Sequence, residues 1–342
     1  MNKLKSDEII DIKSISSRNS ILLLTFIIIN EIGLYVLSLV IKKNILNLKP
    51  ENMQSAWIFL VYSFQYLFTV PFVLILFRKN KNIKSSFKWF KKPNCSLLYI
   101  LKWFVIGYSI IQISNIIFKG IFYLLEKILN VDFFSPAFEL NDDLKYSIVV
   151  ILALVIYAPI FEEILFRGKM LSDTVKYGSA FAIIIVGLYF GLFHKNYEQI
   201  FYAWVAGMIF AYLAIKTQSI IPSMIMHFLF NGSSAVVLFV TKEIDITKID
   251  EVNFFNENLF VGFFLFAYGM FNLIMMVVGF ILFIIEIFYK KEEINKNESK
   301  EKRKYLLSKL RVYFSTPITI VMLIILISIT IVNMLGDGEI YI

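Results

Sequence analysis

Four ionisable residues stand out in this sequence because each of them lies in a strongly apolar stretch. Glu162 and Glu163 are adjacent, and His194 and His227, the chain's 2 histidines, lie in later apolar stretches. A charged group inside a hydrocarbon core costs from about 3 to over about 10 kcal/mol, so each one requires a reason. A carboxylate beside an imidazole can deprotonate water and later protonate a leaving amine. The residue types therefore suit hydrolysis of an amide bond.

Helical spacing separates the roles of the two carboxylates. Neighbouring residues of an α-helix point about 100° apart, so Glu162 and Glu163 face different partners. Glu163 and Arg167 stand four residues apart, a spacing that places an ion pair on one helix face. The sequence predicts this pair and leaves Glu162 free to act on water. The alternative, that this stretch holds only a structural ion pair at a membrane boundary, stays open.

His227 and Asn231 are also four residues apart, so one helix face presents an imidazole and a carboxamide. Both groups can donate hydrogen bonds to a developing oxyanion. A histidine in an apolar segment is more often a satisfied core residue than a catalyst. The presence of both histidines together with a double glutamate nevertheless favours a functional site.

The same residues could hold a metal ion. His194, His227 and Glu162 carry donor atoms for Zn²⁺ or another divalent metal that activates water. Zinc sites in proteins are built from His, carboxylate and thiolate, and the carboxamide of Asn231 would be an unusual ligand. The only thiol belongs to Cys95, which is far along the chain from these residues. We therefore expect zinc to be bound weakly or not at all.

The elements that must position these residues are membrane-spanning helices. Of the 342 residues, 58% are hydrophobic and 18% are charged, whereas soluble domains are about 45–50% apolar and about 25% charged. The excess lies in blocks of about 18 residues or more, long enough to cross a bilayer as helix. The sequence predicts an all-α polytopic membrane protein whose core helical bundle carries the site. The nine predicted spans cover residues 20–41, 57–77, 97–118, 146–170, 178–196, 198–216, 218–241, 260–289 and 316–335.

Three regions follow from these spans. Residues 1–145 hold about three spans, residues 146–241 hold about four helices and the site, and residues 242–342 hold about two spans and a basic loop. If the fourth and fifth spans form an antiparallel hairpin, the midpoint between Glu162 and His194 is Gly178, a residue suited to a turn. The two side chains would then lie at equal depth, each about 24 Å of helix rise from the turn.

The distribution of charge predicts the orientation in the membrane. The formal net charge is +8, but the basic residues concentrate in short loops, which is typical of topology signals and not of nucleic-acid binding. Loop 78–92 has seven basic residues and no acid, and loop 290–311 has nine basic residues against four acids. Both are predicted to be cytoplasmic, which places the N-terminus inside and the C-terminus outside. The abundance of Ile, Lys, Asn and Phe suggests an AT-biased bacterial genome, so we expect the membrane to be a bacterial plasma membrane.

Three short motifs resemble those of a known family. They are E-E-x-x-x-R from Glu162 to Arg167, F-x-x-x-H ending at His194, and H-x-x-x-N from His227 to Asn231. In this order, each in its own span, they resemble the CPBP family of type II CAAX prenyl endopeptidases and Abi bacteriocin-processing and immunity proteins. The resemblance covers roughly residues 146–240. It implies that Glu162 and His194 activate the water, and that His227 with Asn231 stabilises the oxyanion.

The resemblance also implies an activity. Glu163 and Arg167 would position the site of an intramembrane endopeptidase that acts on a peptide or membrane-protein substrate in the lipid bilayer. Members of the family are described both as metalloproteases and as glutamate-dependent proteases, so the metal stays open. Bacterial members are linked to peptide maturation and bacteriocin immunity, and these are the roles we expect.

Two other functions compete with a protease. A transporter could use buried ionisable groups as an ion path, but transporters often carry paired inverted repeats, whereas the polar groups here form one off-centre cluster. A membrane scaffold or immunity protein could retain the motifs without turnover. Since every catalytic residue type is present, the sequence leaves this second alternative open.

Overall fold

Ten helices form the protein in the part of the chain that the structure describes. The structure is a computed structural model, and it describes residues 4–78, 90–134, 143–241, 259–290 and 305–336. All of its regular secondary structure is helical, which confirms the predicted all-α membrane fold. The helices are α1 (Ser6–Lys42), α2 (Pro50–Leu76), α3 (Leu97–Leu129), α4 (Leu144–Tyr177), α5 (Ser179–Phe193), α6 (Tyr197–Thr217), α7 (Ile221–Thr241), α8 (Leu259–Lys290), α9 (Leu306–Phe314) and α10 (Pro317–Leu335).

Eight of the described helices are long and apolar enough to cross a membrane. The remaining predicted span, residues 178–196, corresponds to α5, which has 15 residues and is about 22 Å long. This helix is shorter than predicted because Lys195 adopts a left-handed φ of 53°. Asn196 then caps α6, since its side chain accepts a hydrogen bond from the Glu198 backbone N–H at 3.0 Å.

Two hydrogen bonds fix the direction of α10 relative to α5. At one end, the Lys309 ammonium donates to the Tyr177 carbonyl at 2.9 Å. At the other, the Asn333 amide donates to the Lys195 carbonyl at 2.9 Å. Because α10 follows α9 and ends beside Lys195, α10 runs in the same direction as α5, as predicted for the fifth and ninth spans. The side of the membrane on which each end of these helices lies stays a prediction, and much of loops 78–92 and 290–311 lies outside the described residues.

The turn between α4 and α5 confirms the predicted hairpin. Gly178 has φ 127° and ψ 143°, a conformation that residues with a Cβ rarely adopt, and it separates the end of α4 from the start of α5. Residues 16 positions away on either side are Glu162 and His194. The rings of Phe166 on α4 and Phe190 on α5, each 12 residues from Gly178, lie 5.2 Å apart, so the hairpin places Glu162 and His194 towards the same end of the helix pair.

Helix α4 departs from regular α-helical geometry on both sides of the double glutamate. The segments Ala153–Tyr157 and Ile164–Leu171 are π-helical, and Pro159, which lacks a backbone N–H, follows the first of them. Such π segments occur often at functional sites. Glu162 and Glu163 are both buried in the bundle, although neighbouring side chains of a helix point apart. The two carboxylates thus meet different helices within one polar cluster.

Helices α5 and α6 approach each other closely at glycines. A Cβ added to Gly207 would lie 2.9 Å from the Gly187 Cα and 3.0 Å from the Phe190 Cβ. Backbone atoms cannot move aside as the end of a flexible side chain can, so only glycine fits at this crossing. The tight crossing matters for the site because α5 carries His194 and α6 supplies the Gly207 carbonyl.

We expect Gly207→Ala to lower the free energy of unfolding by about 1–3 kcal/mol, the usual cost of overpacking. The measurement is an equilibrium denaturation of the full chain in detergent micelles. Gly120→Ala is the matched control, since this helical glycine of α3 has nothing within 4 Å of the added Cβ. A stability for Gly207→Ala equal to that of the control would contradict the close approach.

Candidate active site

The ion pair predicted within α4 is present and fully buried. An Arg167 Nη atom donates to the Glu163 Oε1 at 2.9 Å, and both side chains have 0% exposure. The second Nη of Arg167 donates to the Gly207 carbonyl at 3.0 Å, which ties α4 to α6. A buried charge is tolerated when it is paired and hydrogen-bonded. This pair therefore anchors the centre of the bundle.

Two aromatic rings enclose the Arg167 guanidinium. Its central carbon lies 4.4 Å from the ring centroid of Phe190 on α5 and 5.1 Å from that of Phe210 on α6. Cation–π attraction strengthens when the cation is removed from water. The same two rings also contact His227, with centroid distances of 5.7 Å and 5.2 Å. The rings thus link the ion pair on α4 to the imidazole on α7.

His227 lies between the two carboxylates. Its Nδ1 is 3.3 Å from the Glu163 Oε1, and its Nε2 is 4.0 Å from the Glu162 Oε2. The first distance is compatible with a hydrogen bond donated by the imidazole, whereas the second is too long for one. Glu163 therefore orients the ring. The Nε2 atom faces Glu162 but makes no direct hydrogen bond to it.

One carboxylate oxygen of Glu162 accepts a hydrogen bond, and the other has no hydrogen-bond partner among the described residues. Its Oε1 accepts a hydrogen bond from the Tyr66 hydroxyl at 3.0 Å. Its Oε2 is buried and has no hydrogen-bond partner among the described residues. Tyr66, on α2, lies outside the three motifs. The chain has 18 tyrosines, and no spacing in the sequence distinguishes Tyr66 from the others. The sequence prediction therefore missed it.

His194 follows the last residue of α5 and is half-buried. Its Nδ1 lies 2.9 Å from the Phe190 carbonyl. Because a carbonyl only accepts hydrogen bonds, Nδ1 carries the proton, and Nε2 of a neutral ring is then an acceptor. The Phe190 ring contacts His194 at a centroid distance of 5.1 Å, as it contacts His227.

Asn231 connects α7 to the first π segment of α4. Its Nδ2 donates to the Leu154 carbonyl at 2.8 Å. An amide nitrogen carries two hydrogens, so this bond engages one of them and leaves a second for another acceptor. The residue is half-buried. Its position on α7 is one helical turn from His227, as the spacing predicts.

Some of the predicted residues contact one another directly, and others are linked only through a neighbouring side chain. A direct chain of contacts runs from Arg167 through Glu163 to His227, whose Nε2 faces Glu162. His194 reaches this chain through the Phe190 ring, which also contacts His227.

These side chains are of types that bind zinc, but the described structure does not gather them around one point. Among the described residues, no group of three or more His, Cys, Asp or Glu side chains could hold a metal ion. The Nδ1 atoms of His194 and His227 are directed at the Phe190 carbonyl and the Glu163 carboxylate. Among these histidines and glutamates, the two Nε2 atoms and the Oε2 atoms of Glu162 and Glu163 are left as donors.

We expect zinc to be substoichiometric in the purified protein and o-phenanthroline to leave its peptide cleavage unchanged. The reason is that neither imidazole supplies negative charge, so Glu162 alone would offset a divalent charge in a low-dielectric site. Elemental analysis of the protein and a chelator titration are the measurements. One zinc per chain, with chelator inhibition reversed by added zinc, would contradict this and make Glu162 a metal ligand.

Comparison with known proteins supports the resemblance in the same part of the chain. Residues 144–233 match the family described as Type II CAAX prenyl endopeptidase Rce1-like. This segment runs from the start of α4 into α7 and includes all six predicted site residues. It does not include Tyr66. Searches of the curated proteins and of the solved structures found no match.

Proposed function

Because residues 144–233 match an Rce1-like protease family, we propose that the protein is an intramembrane endopeptidase in which Glu162 is the general base. One observation carries this proposal. The Glu162 Oε2 is buried, has no partner among the described residues, and lies 4.0 Å from the His227 Nε2. A buried acceptor without a protein partner is costly to maintain, so we assign this oxygen to the binding of the reacting water.

Water activation is assigned to Glu162 and His194. A water molecule bound to the Glu162 Oε2 gives it one proton, and the oxygen attacks the carbonyl carbon of the peptide bond. The His194 Nε2 accepts a hydrogen bond from the second O–H of that water, which stays on the attacking oxygen, since the His194 Nδ1 proton is directed at the Phe190 carbonyl. When the carbon–nitrogen bond breaks, Glu162 passes its proton to the departing amine.

Oxyanion stabilisation is assigned to His227 and Asn231. Two carboxylates and one guanidinium surround His227, so a protonated ring makes this buried cluster neutral. Its Nδ1–H then donates to Glu163, and its Nε2–H donates to the oxyanion. The second amide hydrogen of Asn231 is the other donor. Removal of one such donor typically slows an acyl-transfer enzyme by about 10²- to 10³-fold.

The substrate is a peptide or membrane protein, and the bilayer is the medium in which it meets the site. The match to a protease family and the eight apolar helices support these two statements. A role in peptide maturation or bacteriocin immunity would follow from the identity of that substrate. We also propose that the protein lies in a bacterial plasma membrane with its N-terminus in the cytoplasm.

The test is a cleavage assay with the full chain in vesicles of phosphatidylethanolamine and phosphatidylglycerol. The probe is a library of synthetic single-span peptides with varied juxtamembrane sequences, and products are identified by mass spectrometry in ¹⁸O-labelled water. We expect cleavage at a defined bond, one ¹⁸O atom in the new carboxylate, and no cleavage by Glu162→Ala. A folded wild-type protein that cleaves no peptide of the library, or a variant that cleaves as the wild type does, would overturn the proposal.

A further inference from the structure

The Tyr66 hydroxyl is the hydrogen-bond donor that the described structure provides to Glu162. Tyr66 lies in α2, is 5% exposed, and donates to the Glu162 Oε1 at 3.0 Å. The other oxygen, Oε2, has no partner in the described part of the chain. One oxygen of the carboxylate is thus tied to a neighbouring helix, and the other is available.

We infer that Tyr66 is a positioning residue for Glu162. A carboxylate attached by single bonds can rotate, and a base must lie within hydrogen-bond reach of the proton that it removes. A hydrogen bond to Oε1 restricts this rotation and keeps Oε2 directed at the reacting water. The inference rests on the proposed function. It adds to the active site a residue of α2, which lies outside the Rce1-like segment 144–233.

Aromatic contacts hold the Tyr66 ring in place. The ring stacks against Phe161, which precedes Glu162 in the chain, with a centroid distance of 6.1 Å. Tyr62 stacks on it at 6.3 Å, and Tyr157 contacts it at 6.4 Å. A group that positions a catalytic residue must itself be locked by packing. These rings provide that rigidity from both α2 and α4.

The backbone around Tyr66 supports the same interpretation. Residues Ser63–Thr69 of α2 are π-helical, as are the segments of α4 that flank Glu162. A π turn changes the direction of the side chains that follow it, and such turns occur often at functional sites. Both partners of the Tyr66–Glu162 hydrogen bond therefore lie in or beside irregular helix.

The test compares Tyr66→Phe with Tyr62→Phe, using the library peptide that the wild type cleaves fastest. Both substitutions remove one hydroxyl from stacked rings on the same helix, but only the Tyr66 hydroxyl contacts Glu162. We expect Tyr66→Phe to lower kcat about 10- to 100-fold, the range for a hydrogen bond to a charged group. KM should stay unchanged, and kcat is taken per folded molecule, because loss of the donor leaves the buried Glu162 Oε1 unpaired and lowers stability as well. Tyr62→Phe should remain within about 2-fold of the wild type, since no such bond is lost.

A second measurement separates positioning from a merely structural role. Glu162→Asp shortens the side chain by one methylene and withdraws its carboxylate from the Tyr66 hydroxyl. Adding Tyr66→Phe to this variant should then cause no further loss of kcat, because interacting residues are not additive. If the two losses multiply, or if Tyr66→Phe alone leaves kcat unchanged, the inference is overturned.

The failure of this inference can be told apart from the failure of the proposed function. If Glu162→Gln is inactive while Tyr66→Phe cleaves as fast as the wild type, only the role of Tyr66 is wrong. If Glu162→Gln cleaves normally, the assignment of the base is wrong, whatever Tyr66→Phe does.

Discussion

Glu162→Gln is expected to slow peptide cleavage by about 10²- to 10⁴-fold, the usual contribution of a general base. The amide has nearly the same shape as the carboxylate and can still accept the hydrogen bond that Tyr66 donates to Glu162. It cannot take a proton from water at neutral pH. The loss should therefore appear in kcat, while the unfolding midpoint stays near that of the wild type. Initial rates of product formation, measured by mass spectrometry on reconstituted protein, test this expectation.

Glu163→Gln provides the matched comparison, because the same substitution is made one residue away. Glu163 is engaged by Arg167 and His227, so we assign it to positioning and not to proton transfer. Per folded molecule, Glu163→Gln should retain more activity than Glu162→Gln. The exposed Glu51→Gln serves as a neutral control, since its ion pair with Lys49 is solvent-exposed. Equal losses at the two buried positions, with folding intact, would show that the roles of the two carboxylates are assigned wrongly.

Arg167→Met is expected to lower the free energy of unfolding by about 3–5 kcal/mol, the cost of leaving a buried charge without its partner. The substitution removes the guanidinium that pairs with Glu163 at 2.9 Å and the donor to the Gly207 carbonyl. The aromatic rings of Phe190 and Phe210 also lose their cation. Equilibrium unfolding in mixed micelles of increasing sodium dodecyl sulfate content, followed by circular dichroism, is the measurement.

Two further variants show whether this loss arises from the unpaired charge. Arg311→Met makes the same substitution at an exposed arginine of α9 and should change stability little. In the double variant Glu163→Gln with Arg167→Met, no charge of the pair is left buried. Its destabilisation should be smaller than the sum of the two single effects. A strictly additive double variant would mean that the pair is not coupled and that Arg167 acts through packing alone.

The sequence alone determined the features that depend on neighbouring residues. Hydropathy predicted the apolar helices, because the bilayer requires long uninterrupted apolar stretches. The spacing of Glu163 and Arg167 predicted their ion pair, because the helical period alone places them on one face. The hairpin turn at Gly178 could also be predicted, since the two helices around it are joined by this single residue.

The tertiary structure decided which partner each site residue has on another helix. The contact of His227 with Glu163 joins residues 64 positions apart, and that of Tyr66 with Glu162 joins residues 96 positions apart. No local spacing encodes such contacts, because they depend on how helices pack and rotate against each other. The sequence therefore determined which chemical groups lie inside the membrane bundle. The packing of α2, α4, α5 and α7 determined that Glu162 has one oxygen bound by a tyrosine and the other directed towards an imidazole.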